Sequence, residues 1–533
     1  MSGLGRRGLL AGAAALPLAA CLPAPQALHD SRWIGAHPER GHRLRSGKAG
    51  GWPAPARWRE AGALVLGGGI GGLSALRGLV RGGWADAQLL ELEDTVGGHS
   101  RGHALGGSGC PMGAHYLPVP GAPAREVREW LQEIGLLRMS ATGLQPDERH
   151  LCHAPQERLF IDGAWQEGLL PSAEGRPRTL AQYRRFAAEV AQAQRTLGFA
   201  MPASRAPWTA GHAALDAQRF DAWLAARGLD DERLLGHLDY CCRDDYGAGL
   251  GQVSAWAGLH YFASRHGFHA PGDEVAERDA VFTWPEGNAH LVRALATPLA
   301  ERLHTGRTVL QVEAGRHGVE VRAWDEARGQ VEGWRARRVV VALPLFVAAR
   351  VLRGLDAPLQ GALATAAAAT RHAPWLVANL LLDAPLLDRP GAPQAWDNVA
   401  FAPAGQGLAL GYVDARHQGL SPDRAQALPP VLSAYFALPE AARPRLLTGS
   451  ASDWTAEVVA ALAPLHPDLA SRLRRADLAR WGHAMAIPAP GVRGDPARRA
   501  LREARGALRF AHADLAGYSV FEEAFTLGCA AAA

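Results

Sequence analysis

The chain has 533 residues, 48% of them hydrophobic and 20% charged, which excludes an intrinsically disordered protein and exceeds the size of one ordinary core, so two or more domains are expected. Formal net charge is +4, with no basic block and no Lys/Arg stripe interleaved with aromatics, which argues against a nucleic-acid partner. The body of the chain holds no run of about 20 apolar residues, so no spanning helix is expected there.

The N-terminus opens with a charged pair, Arg6-Arg7, runs through Ala and Leu to Ala20, and reaches Cys21. A charged start, a short apolar stretch and small residues before a break describe an export signal over 1–21. Arg6-Arg7 followed by Gly8-Leu9-Leu10 resembles a twin-arginine signal. Leu18-Ala19-Ala20-Cys21 resembles a lipobox with Cys21 as the acylated residue. These resemblances imply export of an already folded protein to the periplasm and a lipid anchor to the membrane through Cys21. The stretch 22–60, rich in Pro, Gly, Arg and Trp, reads as a tether. Cys110, Cys152, Cys241, Cys242 and Cys529 form no C-x-x-C and no Cys/His cluster at metal spacing, so no metal site is expected.

The most informative phrase follows. An apolar run at 63–66 leads into Gly67, Gly69, Gly71 and Gly72, in which 67, 69 and 72 fit G-x-G-x-x-G, and a helical stretch follows at 73–81. A second apolar run, 87–92, carries Glu91, close to the roughly 20 residues beyond the glycines at which an acid binds a ribose hydroxyl. Glycine permits the tight turn, the close backbone approach to a pyrophosphate and the close helix–strand packing. The helix N-terminus then offers unpaired N–H groups to the phosphates. A Gly-rich turn in a chain with 61 glycines is the plain alternative. The order strand, glycines, helix, strand, acid disfavours it.

Behind Glu91 the chain reads Leu-Glu-Asp-Thr-Val-Gly-Gly-His-Ser-Arg, ending at Arg101. A Gly-Gly pair in this place is not part of a plain nicotinamide fold. It resembles the flavin amine oxidase superfamily, whose phrase is L-E-A-x-x-x-x-G-G-R. Gly97 and Gly98 match, His99 stands where the family has Arg, and Arg101 is the candidate replacement for that phosphate contact. Further phrases resemble the same family in the same order. The segment Met112-Gly113-Ala114-His115-Tyr116 resembles the one that passes the isoalloxazine ring. Trp284-Pro285-Glu286-Gly287-Asn288 resembles the turn that opens a flavin-side helix. The strand ending at Val312 resembles the one that touches adenine. Phe510-Ala511-His512-Ala513-Asp514 resembles the phrase whose acid binds the ribitol, and Ala524 and Gly528 match the final helix.

The resemblance covers 61–533 and implies FAD as cofactor. It also implies an α/β fold: a Rossmann-like FAD-binding domain assembled from discontinuous segments, plus an α+β substrate domain. The FAD-binding pieces are placed at 61–122, 284–345 and 481–533. An insertion at 123–283 reads as mainly helical, with apolar 3–4 spacing at 125–137, 179–198, 215–227 and 231–238. A second insertion, 346–480, mixes helix with strand-like runs at 375–382, 408–414 and 431–436.

In a flavin enzyme the cofactor carries the redox step and the protein orients a C–H bond over it. Hydride removal from the carbon next to an amine nitrogen needs an ammonium held and deprotonated, for which acids and aromatic walls are suited. Candidate catalytic residues are His115, Trp481, His483 and Asp245, the last within Asp239-Tyr240-Cys241-Cys242-Arg243-Asp244-Asp245-Tyr246-Gly247, where the plain alternative is an internal Arg–Asp pair. Trp396-Asp397-Asn398 and Tyr412 are further candidates for lining the insertion. The expected activity is an amine dehydrogenase or oxidase acting on a small amine, with polyamines as the favoured class and the electron acceptor left open. Many relatives in the resembled family hold a water against the flavin with a lysine, linked to reaction with oxygen. The one lysine here, Lys48, falls in the expected tether, so slow reaction with O2 is expected. The alternatives are a desaturase of phytoene or porphyrinogen type, with a long apolar tunnel, and a non-catalytic escort protein of small GTPases.

Overall fold

The computed structural model describes residues 30–45, 52–141, 143–272, 280–315, 318–418 and 427–533. The expected export signal, Cys21 and Lys48 lie outside the described residues. Among the described residues no helix is long and apolar enough to cross a membrane.

Two eight-stranded sheets organise the molecule. The first is built on the fingerprint strand Trp58–Leu66, which runs parallel to Gln88–Leu90 on one side and to Gln330–Val341 on the other. Gln330–Val341 is forked. Its first half pairs antiparallel with Gly318–Asp325, and its last three residues pair parallel with Leu508–Phe510. The far C-terminus is thereby set beside the N-terminal fingerprint. The central strand is apolar without alternation because both faces are covered. Leu64 and Leu66 enter one core, while Ala63 and Val65 enter a second core with Leu73, Leu76 and Phe525.

That second core is closed by the fingerprint helix Ile70–Arg81 and the terminal helix Phe521–Ala532, which meet backbone to backbone. A Cβ at Gly528 would lie 2.0 Å from Ser74 Oγ and 2.2 Å from the Gly71 carbonyl oxygen. Only glycine lets two helices approach that far.

The second sheet centres on His372–Leu382, antiparallel to Leu473–Ala486 and to Val431–Ala437. Beyond Val431–Ala437 come Ala409–Asp414, Asp397–Ala400, Glu157–Ile161 and Ala164–Glu167. A helical layer that includes Pro177–Leu197, Glu232–Tyr246 and Ala255–Ala263 shares the largest core with it.

Five boundaries differ from the sequence reading. Within the expected tether, Asp30–Ile34 is a strand that pairs parallel with Leu473–Ala486 at the sheet edge. The mainly helical insertion supplies two strands of the sheet, Glu157–Ile161 and Ala164–Glu167. The final FAD-binding piece does not begin at Trp481, because the strand Leu473–Ala486 stays paired with His372–Leu382 out to Ala486. The helix expected at 215–227 is broken into Ala210–Asp216 and Phe220–Ala225, since Arg219 between them is extended and bridges Ser254.

The helix expected at 231–238 runs instead as Glu232–Tyr246. The Asp231 carboxylate accepts from the Arg233 and Leu234 amides at its start, and Gly247 ends it at φ +69°. This extension places Asp244 and Asp245 on a helix rather than in a turn.

Candidate active site

The glycine cradle is set by steric necessity. Gly67 has φ +100° and a Cβ there would lie 2.6 Å from the Ala342 carbonyl oxygen. A Cβ at Gly72 would lie 1.8 Å from the Gly67 carbonyl oxygen, and one at Gly71 would lie 2.2 Å from the Ala511 carbonyl oxygen. Gly69 differs: its nearest neighbour would be Gly98 Cα at 4.0 Å, so it borders open space rather than packing. The first hydrogen bond of the helix runs from the Leu73 amide to the Gly69 carbonyl, so the amides before it face outward without intrahelical partners.

Glu91 closes the cradle. Its carboxylate accepts from the Gly68 amide at 2.6 Å and from the Glu93 amide at 2.8 Å, and burial raises its pKa. The Gly97 amide donates to the Gly68 carbonyl at 2.7 Å, which ties the Gly97-Gly98 loop to the fingerprint turn. Beside this loop, His99 packs edge-on against Trp481 at 4.7 Å and the Arg101 guanidinium lies 5.1 Å from the same indole. Burial, with His512 and Arg101 nearby, pushes the His99 pKa down to about 3, so His99 brings no charge where the resembled family has Arg, and Arg101 is the cation of this loop. Trp481 donates from Nε1 to the Met112 carbonyl at 2.6 Å, and Gly113 has no room for a side chain, its Cβ falling 2.1 Å from the His99 carbonyl oxygen.

Asp514 is fully buried. One oxygen accepts from the Leu345 amide at 2.9 Å, and the other lies 3.0 Å from His372 Nε2 and 3.3 Å from His512 Nδ1. Burial alone would raise its pKa, but the two imidazoles outweigh this and hold the carboxylate well below the usual range. His483 joins this group through Phe346 at 4.5 Å and His372 at 5.7 Å, with its pKa pushed down to about 4, first by burial and then by Arg443. Val312 has zero exposure in the core of its strand, beyond the point where the Arg307 amide reaches the Glu91 carbonyl at 2.7 Å.

A second group lies where the 112–116 segment meets the second sheet, the one centred on His372–Leu382. Asn288 holds that segment, its amide donating to the Ala114 carbonyl and its side chain to the Tyr116 carbonyl. His115 is walled by Tyr116, Trp396 and Tyr435 at 5.0, 5.6 and 4.3 Å, and Tyr435 donates from its hydroxyl to the Gly113 carbonyl at 3.2 Å. Burial pushes the His115 pKa down to about 3, so it is a neutral wall at physiological pH rather than a proton exchanger. Trp375, 8% exposed, adds an indole N–H without a hydrogen-bond partner, 6.4 Å from the Tyr435 ring by centroids.

Three acids complete this group. The Tyr116 hydroxyl donates to Asp244 at 3.2 Å. Asp397 is hydrogen-bonded to Tyr240 and is the register neighbour of Glu157 on the adjacent parallel strand. Period-two alternation sends Arg158 and Asn398 to the opposite face, where Arg158 bonds Asn398 at 2.6 Å and Asp388 at 2.8 Å. The pKa of Asp244 is pushed up to about 7, first by burial and then by Asp245. That of Asp397 is raised well above its usual value, first by burial and then by Asp244 and Glu157. Asp245, the acid singled out from sequence, is instead paired with Arg265 at 2.9 Å. Consecutive helical residues point about 100° apart, so the two neighbours face different surroundings. Tyr412 also lies elsewhere, with its hydroxyl 2.7 Å from His466 Nε2.

The model of the family described as flavin containing amine oxidoreductase matches residues 70–533. The chain belongs to this family. It is an FAD-dependent oxidoreductase, and the cradle around Gly67–Gly72, Glu91 and Gly97-Gly98 has the close backbone turn, free helix amides and buried acid that would suit the dinucleotide. No curated protein matches the sequence significantly. Among solved structures, a putrescine oxidase double mutant redesigned in cofactor binding superposes with a TM-score of 0.64 at 16% identity, over 89% of this chain and 98% of that one. Cyclohexylamine oxidase from Brevibacterium oxydans gives 0.62 at 17% identity, over 89% and 98%. A fatty acid isomerase from P. acnes gives 0.58 at 14% identity, over 88% and 97%. At these identities the likeness is one of fold, and the neighbours' differing substrates leave the reaction to be argued from the site.

Glu157 and Tyr435 were not singled out from sequence, and Asp397 was noted without a position. No local phrase marks the first two. The signal is their shared sheet face, which needs the pairing of strands far apart in the chain.

Proposed function

We propose that this oxidoreductase removes hydride from the carbon next to the nitrogen of a cationic amine, with polyamines the favoured class. The observation that carries this reading is the gathering of Glu157, Asp244 and Asp397 beside the wall of His115, Tyr116, Trp396 and Tyr435. The charges that act most on Asp397 are acidic, so an incoming ammonium relieves a repulsion the protein otherwise holds in place. A long apolar tunnel for a desaturase substrate is not what these residues would line.

FAD, when bound, supplies the hydride acceptor. The protein's own part is to hold the ammonium against the aromatic faces and to exclude water. Asp244, with a pKa near neutrality and a hydrogen bond from Tyr116, is the group suited to take the proton that the ammonium must lose.

The twin-arginine and lipobox phrases support export to the periplasm and anchoring through Cys21. The electron acceptor in this reading is a partner other than oxygen.

The test is anaerobic mixing of the flavin-loaded protein with a panel of mono-, di- and polyamines, following loss of the flavin band near ~450 nm. Bleaching by amines with two or more charges supports the reading. A yellow protein that no amine bleaches would sink it and move the weight to apolar substrates.

A further inference from the structure

The stretch 30–45 crosses the molecule as a strap with three attachments. Its first part, Asp30–Ile34, is the edge strand of the substrate sheet. There Arg32 forms a two-point pair with the fully buried Asp477, Nε to Oδ1 at 2.8 Å and Nη2 to Oδ2 at 3.1 Å. Trp33 is held by its N–H on the Gly449 carbonyl at 3.3 Å and by the Arg480 guanidinium 4.7 Å from its ring. At the other end Arg43 lies 4.6 Å from the Trp324 ring and pairs with Glu326 at 3.1 Å, on the hairpin of the dinucleotide sheet.

Between these ends the strap runs along Met112 and the loop behind Glu91. Gly35, at φ +78°, touches the segment that leads to Gly113, for a Cβ there would fall 2.6 Å from Met112 Sδ. The next residues grip the loop behind the ribose acid. The His37 amide donates to Glu93 Oε1 at 3.1 Å, and His37 Nδ1 lies 2.7 Å from Glu93 Oε2. Arg40 donates to the Leu92 carbonyl at 3.0 Å and to Asp94 at 2.7 Å. Glu93 in turn donates from its own amide to Glu91 at 2.8 Å. The contacts therefore run His37, Glu93, Glu91, from the substrate sheet to the acid at the cradle.

We propose that this strap is a clasp on the cofactor loop, with His37 and Arg40 as positioning residues that hold Glu91 and the 92–97 loop in place and slow the release of FAD. Glu91 and Gly97 are joined to the fingerprint turn through Gly68, so lifting this loop would open the cradle and let a bound dinucleotide leave. The loop's attachment to Gly68 is local. The strap adds a second hold, tied across the molecule to the substrate sheet.

The test compares FAD release from the holoprotein, followed by the rise in free-flavin fluorescence after dilution, in the wild type and in His37→Ala/Arg40→Ala. Release is expected to be at least about tenfold faster in the double variant, an effect on the dissociation rate. Arg474→Ala, which breaks an ion pair with Asp383 elsewhere, serves as the control and leaves the rate unchanged. Arg40→Asp combined with Asp94→Arg restores slow release if the grip is the cause. Hydrogen exchange of the 91–97 amides provides a readout that does not require flavin to leave, and is expected to speed up in the double variant only. Release within about twofold of wild type, together with unchanged exchange in that loop, would overturn the proposal. Loss of slow release in the Arg474→Ala control would do so as well.

Discussion

Asp244 and Asp245 are adjacent in sequence and opposite in circumstance: Asp245 is paired with Arg265 at 2.9 Å, while Asp244 meets the Tyr116 hydroxyl at 3.2 Å and is pushed up to a pKa of about 7. The same substitution at the two positions should therefore act with opposite sign. Asp245→Asn leaves Arg265 largely buried without its partner and should cost about 3 kcal/mol. For Asp244 the folded-state pKa lies above the ordinary 3.8, so between those values the folded protein binds a proton that the unfolded chain does not. Stability falls as pH rises through that window, and the full cost is present above pH 7. Asp244→Asn cannot ionise and should be more stable than wild type by on the order of 2 kcal/mol at pH 8, with the difference vanishing toward pH 4. Thermal melts of both variants at pH 4.5 and pH 8 check this, and a destabilised Asp244→Asn would refute it.

Amine binding should carry the same titration. As pH rises toward 7, Asp244 gains its charge, and affinity for a cationic amine should improve up to about tenfold per pH unit before levelling off. His115, with a pKa pushed down to about 3, stays neutral throughout and contributes no step near neutrality. Binding of a non-reactive diamine measured by calorimetry from pH 5.5 to 8.5 gives the profile. The step near 7 should disappear in Asp244→Asn, and its persistence there would assign the titration to another group.

The fingerprint glycines separate into two kinds. Gly72→Ala places a methyl 1.8 Å from a carbonyl oxygen and is expected to give little folded protein. Gly69→Ala meets nothing closer than 4.0 Å and should fold with a near-normal melting temperature in the flavin-free state, yet bind FAD at least about tenfold more weakly, since the methyl enters the gap opposite Gly98. Flavin content and apo-protein melts of the two variants distinguish loss of fold from loss of cofactor.

The cradle was legible because every part of it is local: a strand, a tight turn, a helix and an acid lie within about 30 residues, the length of one βαβ unit. The acidic cluster was not. Glu157 and Asp397 become neighbours only through parallel pairing of two distant strands. The phrase around Asp244 showed two acids and a tyrosine, but it was read without a helix, and without the helix nothing decides which acid faces Arg265 and which faces Tyr116. The strap was misread for a related reason. Composition marks 22–60 as linker-like, while the pairing of Asp30–Ile34 depends on an edge of Leu473–Ala486 far along the chain.

That strand also shortens the expected tether. Asp30 follows Cys21 by nine positions, a reach of at most about 30 Å at 3.3–3.6 Å per residue. If Cys21 is acylated, the substrate-sheet edge stays close to the bilayer. Cell fractionation should find the wild type with membranes and Cys21→Ser in the soluble periplasmic fraction. Equal distribution of the two would remove the anchor.

Lysine content is the remaining point at which this chain departs from the pattern it resembles. Lys48 is its sole lysine and falls within the 22–60 stretch, outside the described residues. The groups near the 112–116 segment are His115, held neutral, together with tyrosines, tryptophans, Asn288 and Asp244, none of which carries a positive charge near neutrality. Arginine does not substitute as a proton shuttle, because its guanidinium stays protonated. Reduced protein mixed with air-saturated buffer should therefore reoxidise slowly, at least about tenfold more slowly than with an artificial acceptor such as a quinone, making the acceptor the step that limits turnover in air. Rapid reoxidation with one peroxide formed per amine consumed would show that oxygen is the acceptor and that a group other than lysine supports its reduction.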